Sequence, residues 1–333
     1  MHLSIGNKRD DNFHDIRSIF LLINLRDTLC FMPQSPESDE NPAVQQADTK
    51  AKDEDLKSED AQKKPQAPKE ALQIEIVPEN LPAAFQKECI SMPTEKNLVY
   101  QAVKLFQSKT DFVLTGKIKV TKRIPAGAGL GGGSSDAATT LAALNKISGL
   151  ELPLDTLRSM AEVLGSDVPF FIKNDMTETA NLHCSYVSGR GDVIEPIDNK
   201  DIKYNVVVVN PGFASGTSQA YSMLDQFRSN DKNFIQKQIV SSFGKLKKEE
   251  LVAMLQSDPF TWKYTNDFLG MFITDKNCGE KYLGIIADLI NCGASFANLS
   301  GSGSTCFGIF KDKKTADKAA AKLKSRWAFA ESV

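Results

Sequence analysis

The chain has 333 residues, of which 41% are hydrophobic and 25% charged, and its net charge is −2. That length accommodates two domains sharing a cleft, and the composition is that of an ordinary globular protein. A near-neutral charge excludes a global field favouring nucleic acid or an anionic membrane. No apolar run approaches ~18 residues, so no membrane-spanning helix is expected, and the N-terminus does not read as a secretory signal or a transit peptide. Neither nucleic acid nor membrane is therefore an expected partner, and the oligomeric state stays open.

In chain order, His2 to Ile5 reads as the end of a strand, and residues 16–31 read as strands with a turn near Asp27. Residues 34–70 are dominated by Pro, Glu, Asp, Lys, Gln and Ser, carry no aromatic, and are expected to be a disordered insertion. Leu72 to Val77 alternates as a strand. Leu98 to Phe106 has its apolar residues at helical spacing, and Phe112 to Ile124 alternates again as a half-exposed strand. A glycine-rich loop follows, and a helix is expected from Ser134 or Ser135, with Asp136 in its first turn. Another helix spans about Leu154 to Leu164. Val206 to Val209 is continuously apolar and so reads as a central strand. Residues 218–256 and 280–291 look mostly helical. Phe296 to Leu299 and Thr305 to Phe310 form a strand–loop–strand around a Ser/Gly turn, and Lys314 to Ser325 is a final helix. This order, without strict βαβ repetition, argues for α+β.

Six cysteines (Cys30, Cys89, Cys184, Cys278, Cys292 and Cys306) form no C-x-x-C pair and read as scattered buried thiols. With only three histidines, and His183-Cys184 lacking a partner motif, a His/Cys metal site is not expected. No metal ligands are assigned.

The strongest feature is the loop Pro125, Ala126, Gly127, Ala128, Gly129, Leu130, Gly131, Gly132, Gly133, Ser134, Ser135. Its glycines let the backbone approach phosphate oxygens and turn successive N–H groups inward, and the following helix N-terminus adds partial positive charge. The two serines offer hydroxyls to phosphate or Mg²⁺. No Gly-Lys-Ser/Thr follows, so this is not a Walker loop. A formal G-x-G-x-x-G over Gly127–Gly132, with Glu151 roughly 20 residues on, makes a dinucleotide site the rival. The lysine-alternating strand before it and Pro125 at its start fit that rival poorly.

Residues 122–138 resemble the second motif of the GHMP kinases. The resemblance continues through Gly165-Ser-Asp-Val-Pro-Phe-Phe171, Gly189-Arg-Gly-Asp-Val-Ile194, Asn210-Pro-Gly212, Thr265-Asn-Asp-Phe268 and Leu299-Ser-Gly-Ser-Gly-Ser304, with Gly6 to His14 matching a substrate segment. It covers nearly the whole chain outside 34–70. It points to the branch whose acceptor is a cytidine-diphosphate-linked sugar alcohol of the non-mevalonate isoprenoid pathway. The alternatives are another GHMP small-molecule kinase, of homoserine or mevalonate type, and a non-catalytic nucleotide or metabolite sensor on this scaffold.

The resemblance implies a two-domain α+β fold: an ATP-binding domain over 1–195, like ribosomal protein S5 domain 2, and a ferredoxin-like domain over 196–333. It implies ATP on the loop at 125–135 with Mg²⁺, Asp167 as general base, and Phe13, His14, Thr217 and Tyr221 as substrate contacts, with an aromatic stacking on the cytosine. Gly301, Ser302, Gly303 and Ser304 match the third motif, a second backbone wall of the cleft. It also implies a plastid location if the source is eukaryotic, and the cytoplasm otherwise. Two departures stand out. The family's lysine in Pro-x-Lys-x-Asn-Leu falls ahead of Met1, which is expected to weaken turnover of this chain by ~10²–10³. Asp136 stands where Asn is often found.

Overall fold

The computed structural model describes residues 1–33, 72–172, 184–198, 204–230 and 244–333. The expected insertion at 34–70 and His183 lie outside the described residues. Strands β1 (His2–Lys8) and β2 (His14–Leu21) form a hairpin that continues antiparallel into β6 (Cys184–Ser188) and β7 (Val193–Ile197), giving the order β1-β2-β6-β7. A second sheet has β5 (Gly116–Lys122) at its centre, antiparallel to β3 (Thr28–Pro33) and parallel to β4 (Gln73–Pro78). Its alternation is as the sequence predicts: Ile118 and Val120 are buried, while the lysines alternating with them, Lys117 and Lys119, are half-buried.

On that buried face pack helices α2 (Leu98–Lys109), α3 (Gly132–Ser148) and α4 (Leu154–Leu164), with Val103, Phe106, Leu141, Leu144 and Ala161 among the residues shielded from solvent. Helix α1 (Ala83–Ser91) precedes α2 and seats Phe85 and Cys89. The sequence did not announce it, because only these two of its nine residues are buried. Strand β5 starts at Gly116, four residues later than the alternation suggested, because Phe112 instead packs edge-on against Phe106.

The third sheet has the order β11-β8-β10-β9, from β8 (Asn205–Asn210), β9 (Phe296–Leu299), β10 (Cys306–Phe310) and β11 (Phe329–Ser332), all antiparallel. Val207 and Val209 face helices α5 (Thr217–Ser229), α8 (Gly279–Asn291) and α9 (Lys313–Lys324). Val206 and Val208 face a separate core with Phe85, Leu251, Trp262 and Phe307. A strand covered on both faces has no solvent side to carry polar residues, which is why it reads as an unbroken apolar run. Two shorter helices, α6 (Lys248–Met254) and α7 (Asp267–Phe272), lead into this layer.

The six cysteines form no disulfide with one another. Cys89, Cys184 and Cys306 are buried, Cys278 and Cys292 are partly buried, and Cys30 is exposed on β3, so the expectation of buried thiols holds for only three of the six. β3 pairs only with β5, and Cys30 takes the outward position of its pleat. Among the described residues no helix is long and apolar enough to cross a membrane.

Candidate active site

The glycine loop joins β5 to α3. Gly127, Gly129 and Gly131 all hold left-handed φ angles of 61°, 72° and 68°, a conformation that L side chains adopt at a cost of about 1–2 kcal/mol. Gly131 caps α3, so the helix begins at Gly132, two residues before the first serine. The N-terminal N–H groups of α3 thus open directly beneath the loop.

The third motif holds the loop from the far side of the cleft. Ser300 Oγ donates to the Gly129 carbonyl (2.7 Å), Thr305 N to that of Ala128 (3.1 Å), and Ser215 N to that of Gly127 (2.7 Å). Ser302 Oγ lies 3.1 Å from Thr217 Oγ1 at the start of α5, and Ser304 Oγ accepts from Asn210 Nδ2 (3.0 Å). Two sequence motifs some 170 residues apart therefore form one backbone wall.

Pro125 to Ser134, Thr217, Tyr221, Gly301, Ser302 and Asp167 line a cavity of about 410 Å³. Ile76, Val120 and Leu98 are among its apolar lining residues. Ser135 turns its hydroxyl back to the Gly132 carbonyl (2.8 Å). Asp167 follows α4 in a turn anchored by buried Val168 and Pro169. Asp167 is itself exposed where it lines the cavity, and crowding by the surrounding protein raises its pKa through desolvation. No described residue forms an ion pair with it.

Beneath the loop lies a cluster that the sequence did not reveal. Lys122 Nζ donates to Asp136 Oδ2 (2.7 Å) and to Asp27 Oδ2, and all three side chains are buried. Asp27 Oδ1 also accepts from the backbone of Arg123 and Ile124 (2.6 and 2.9 Å), tying the β2–β3 turn to the loop's entrance. Burial alone would lower Lys122, but Asp136 and Asp27 hold it above its ordinary value. Asp136 is more than a short polar residue at a helix start: burial, reinforced by the charge of Asp27, pushes its carboxyl up to about 7.

A carboxyl raised in the folded state binds its proton there more tightly than in the unfolded chain. Its contribution is therefore present below about pH 4 and is lost as pH rises from about 4 to about 7, with no further change above. Asp136→Asn keeps an acceptor for Lys122 and removes the second carboxylate. It is expected to abolish that slope and to stabilise the fold at pH 8 by about 2–4 kcal/mol. Denaturant melts of both proteins from pH 4 to pH 8 check this, and parallel curves would contradict it.

At the other end of the cleft, His14 stacks on Tyr221, with centroids 5.0 Å apart and planes at 26°, and its Nε2 lies 2.8 Å from Asp225 Oδ1. Tyr221 meets Phe268 edge-on at 5.0 Å. Its hydroxyl is pushed up by burial and by the charge of Asp167. Phe13 stands apart, half-exposed, with the Arg190 guanidinium 4.8 Å from its ring centroid. The structure thus joins His14 to Tyr221 directly and leaves Phe13 at the rim. Asp225 was missed, although it lies four residues beyond Tyr221 and so on the same face of α5.

Residues 97–174 match the model described as the GHMP kinases N terminal domain, and residues 275–328 match GHMP kinases C terminal. The chain belongs to the GHMP kinases, small-molecule phosphotransferases with a two-domain α+β fold: a mixed N-terminal sheet region and a ferredoxin-like C-terminal sheet. Within them it is 32% identical over 328 residues to the 4-diphosphocytidyl-2-C-methyl-D-erythritol kinase of Thermodesulfovibrio yellowstonii, covering 98% of this chain and 91% of that one. The enzyme of the same name from Prochlorococcus marinus strain AS9601 is 28% identical over 320 residues (96% and 85%). A crystal structure of 4-(cytidine 5'-diphospho)-2C-methyl-D-erythritol kinase superposes with a TM-score of 0.66 at 23% identity (99% and 94% covered). Mevalonate kinase of L. major superposes with 0.53 at 16% identity (78% and 81%).

Proposed function

We propose that this protein transfers the γ-phosphoryl group of ATP to the 2-hydroxyl of 4-diphosphocytidyl-2-C-methyl-D-erythritol in the non-mevalonate isoprenoid pathway. The single observation that carries the reading is one cavity lined by the glycine loop, the third motif, Asp167 and Tyr221 together. The similarity over 98% of the chain to an enzyme of that name supports it.

Residues 125–135 and the first turn of α3 would hold the nucleotide's phosphates, with Ile76, Val120 and Leu98 as apolar lining for its base. The described residues contain no cluster of three acidic, His or Cys ligands. Mg²⁺ keeps several waters and is bound through substrate phosphates with few protein ligands, and Ser134, which lines the cavity, is the loop hydroxyl that would reach it. When bound, Mg²⁺ supplies charge neutralisation on the phosphates. Asp167, desolvated and unpaired with any described cation, takes the proton of the acceptor hydroxyl. Phe13, His14 and Tyr221 bind the cytosine, with Thr217 on the substrate side of the loop. The division of the chain at 195/196, and a plastid location for a eukaryotic source or a cytoplasmic one otherwise, belong to the same proposal.

ADP release with Mg-ATP and 4-diphosphocytidyl-2-C-methyl-D-erythritol, beside homoserine and mevalonate, tests the reading. Turnover is expected with the cytidylyl substrate, competitively inhibited by CDP. Turnover with homoserine or mevalonate alone would move the protein to another GHMP kinase activity. ATP binding without any turnover would make it a sensor.

A further inference from the structure

The turn between β6 and β7, residues 189–192, is given no role in the proposed function, yet it lies against both the start of β2 and the Asp167 turn. The Gly189 carbonyl accepts from Ile16 N (2.8 Å), which fastens the turn to the start of β2, beside Phe13 and His14. Gly191 has φ +109°, and a Cβ placed on it would lie 3.3 Å from Ser166 Cβ and 3.8 Å from an Asp167 carboxylate oxygen. Arg190 stands between these two contacts.

The Arg190 guanidinium lies over the Phe13 ring at 4.8 Å. Its ion pair with Asp192 is long, at 3.5 Å, and both side chains are about one-third exposed. Such a pair contributes little. Asp192 is engaged more closely by the backbone, accepting from Arg190 N at 2.9 Å. Lys8, opposite His14 in the β1–β2 register, is exposed, whereas several other cations around this end are engaged elsewhere. Arg228 donates to the Ile5 and Gly6 carbonyls and to Asp267, Arg9 pairs with Asp11 and Asp15, and Lys122 is buried between two carboxylates.

In the proposed substrate a diphosphate joins the cytidine, bound at Phe13, His14 and Tyr221, to the polyol whose hydroxyl meets Asp167. We infer that Arg190 is the cation that receives this diphosphate, making the turn at 189–192 a ruler between the base and the reacting hydroxyl. A guanidinium resting on an aromatic face keeps its N–H edge for anions and is pre-organised for phosphate oxygens. The inference rests on the substrate proposed above.

The test is calorimetric titration of the full chain and of Arg190→Gln and Arg190→Lys with CDP, CMP and cytidine, with KM for the cytidylyl substrate measured alongside. The wild type is expected to prefer CDP over cytidine. Arg190→Gln is expected to weaken CDP by about 10- to 100-fold and cytidine by no more than about twofold, with the loss of activity appearing in KM. Arg190→Lys, which keeps the charge, is expected to recover most of the CDP affinity. Equal loss of CDP and cytidine in Arg190→Gln would mean that Arg190 merely supports the Phe13 ring, and unchanged CDP binding would likewise overturn the inference. Failure of the wild type itself to bind CDP or turn over the substrate is a different result, and strikes the proposed function instead.

Discussion

Asp167→Asn is expected to lower kcat by about 10²–10⁴-fold while ATP and CDP still bind with affinities near those of the wild type. The exchange is isosteric, so the turn held by the Val168 N to Gly165 O bond (3.1 Å) and by buried Val168 and Pro169 persists. What is lost is a site that accepts a proton. Desolvation raises the Asp167 pKa, and a base works only when ionised. Wild-type turnover is therefore expected to rise with pH through that raised pKa, and the residual turnover of Asn to lose this limb. The stability sign runs the other way. The raised carboxyl favours the fold below its unfolded pKa, and that contribution is lost as pH rises through the folded one. The Asn protein should thus melt no lower than wild type at neutral pH. Wild-type turnover by Asp167→Asn would reduce Asp167 to a structural acid after α4.

Gly129→Ala is expected to raise the KM for ATP by at least about 100-fold and to lower the melting temperature by several degrees. Gly129 has φ +72°, where alanine already costs about 1–2 kcal/mol. A methyl group there would also fall on the carbonyl oxygens of Ser300 and Gly303, which are backbone atoms and cannot rotate away. Relief requires the glycine loop and the third motif to part, breaking the bond from Ser300 Oγ to the Gly129 carbonyl. Gly149→Ala supplies the control. Its φ is +68° and nothing lies within 4 Å of the added carbon, so it is expected to show only the conformational cost and no change in ATP affinity. Titration of both variants with ATP, beside thermal melts, separates strain from contact. Equal behaviour of the two glycines would mean that the packing of the two motifs carries no nucleotide affinity.

Much of this protein is local, and local physics was legible in the amino-acid order. The glycines at 127, 129 and 131 announce a backbone that no other residue adopts cheaply, and the structure places all three in the left-handed region. Alternation around Ile118 and Val120 and the run Val206 to Val209 marked a one-sided and a two-sided strand, because burial dictates polarity position by position. Helix α1 escaped because only two of its nine residues are buried, and strand β11 because its four residues are too few to show a period.

Tertiary structure alone decided which distant residues meet. Asp27, Lys122 and Asp136 share a proton-binding cluster only because the β2–β3 turn returns under the loop. His14 finds Asp225 across 211 residues because α5 lies against the first hairpin. Arg190 reaches Phe13 because β6 is laid beside β2. Periodicity tells a side chain whether to be inside, but only the pairing of strands and the seating of helices tells it beside whom, and the charges, pKa values and contacts of the site depend on that neighbour.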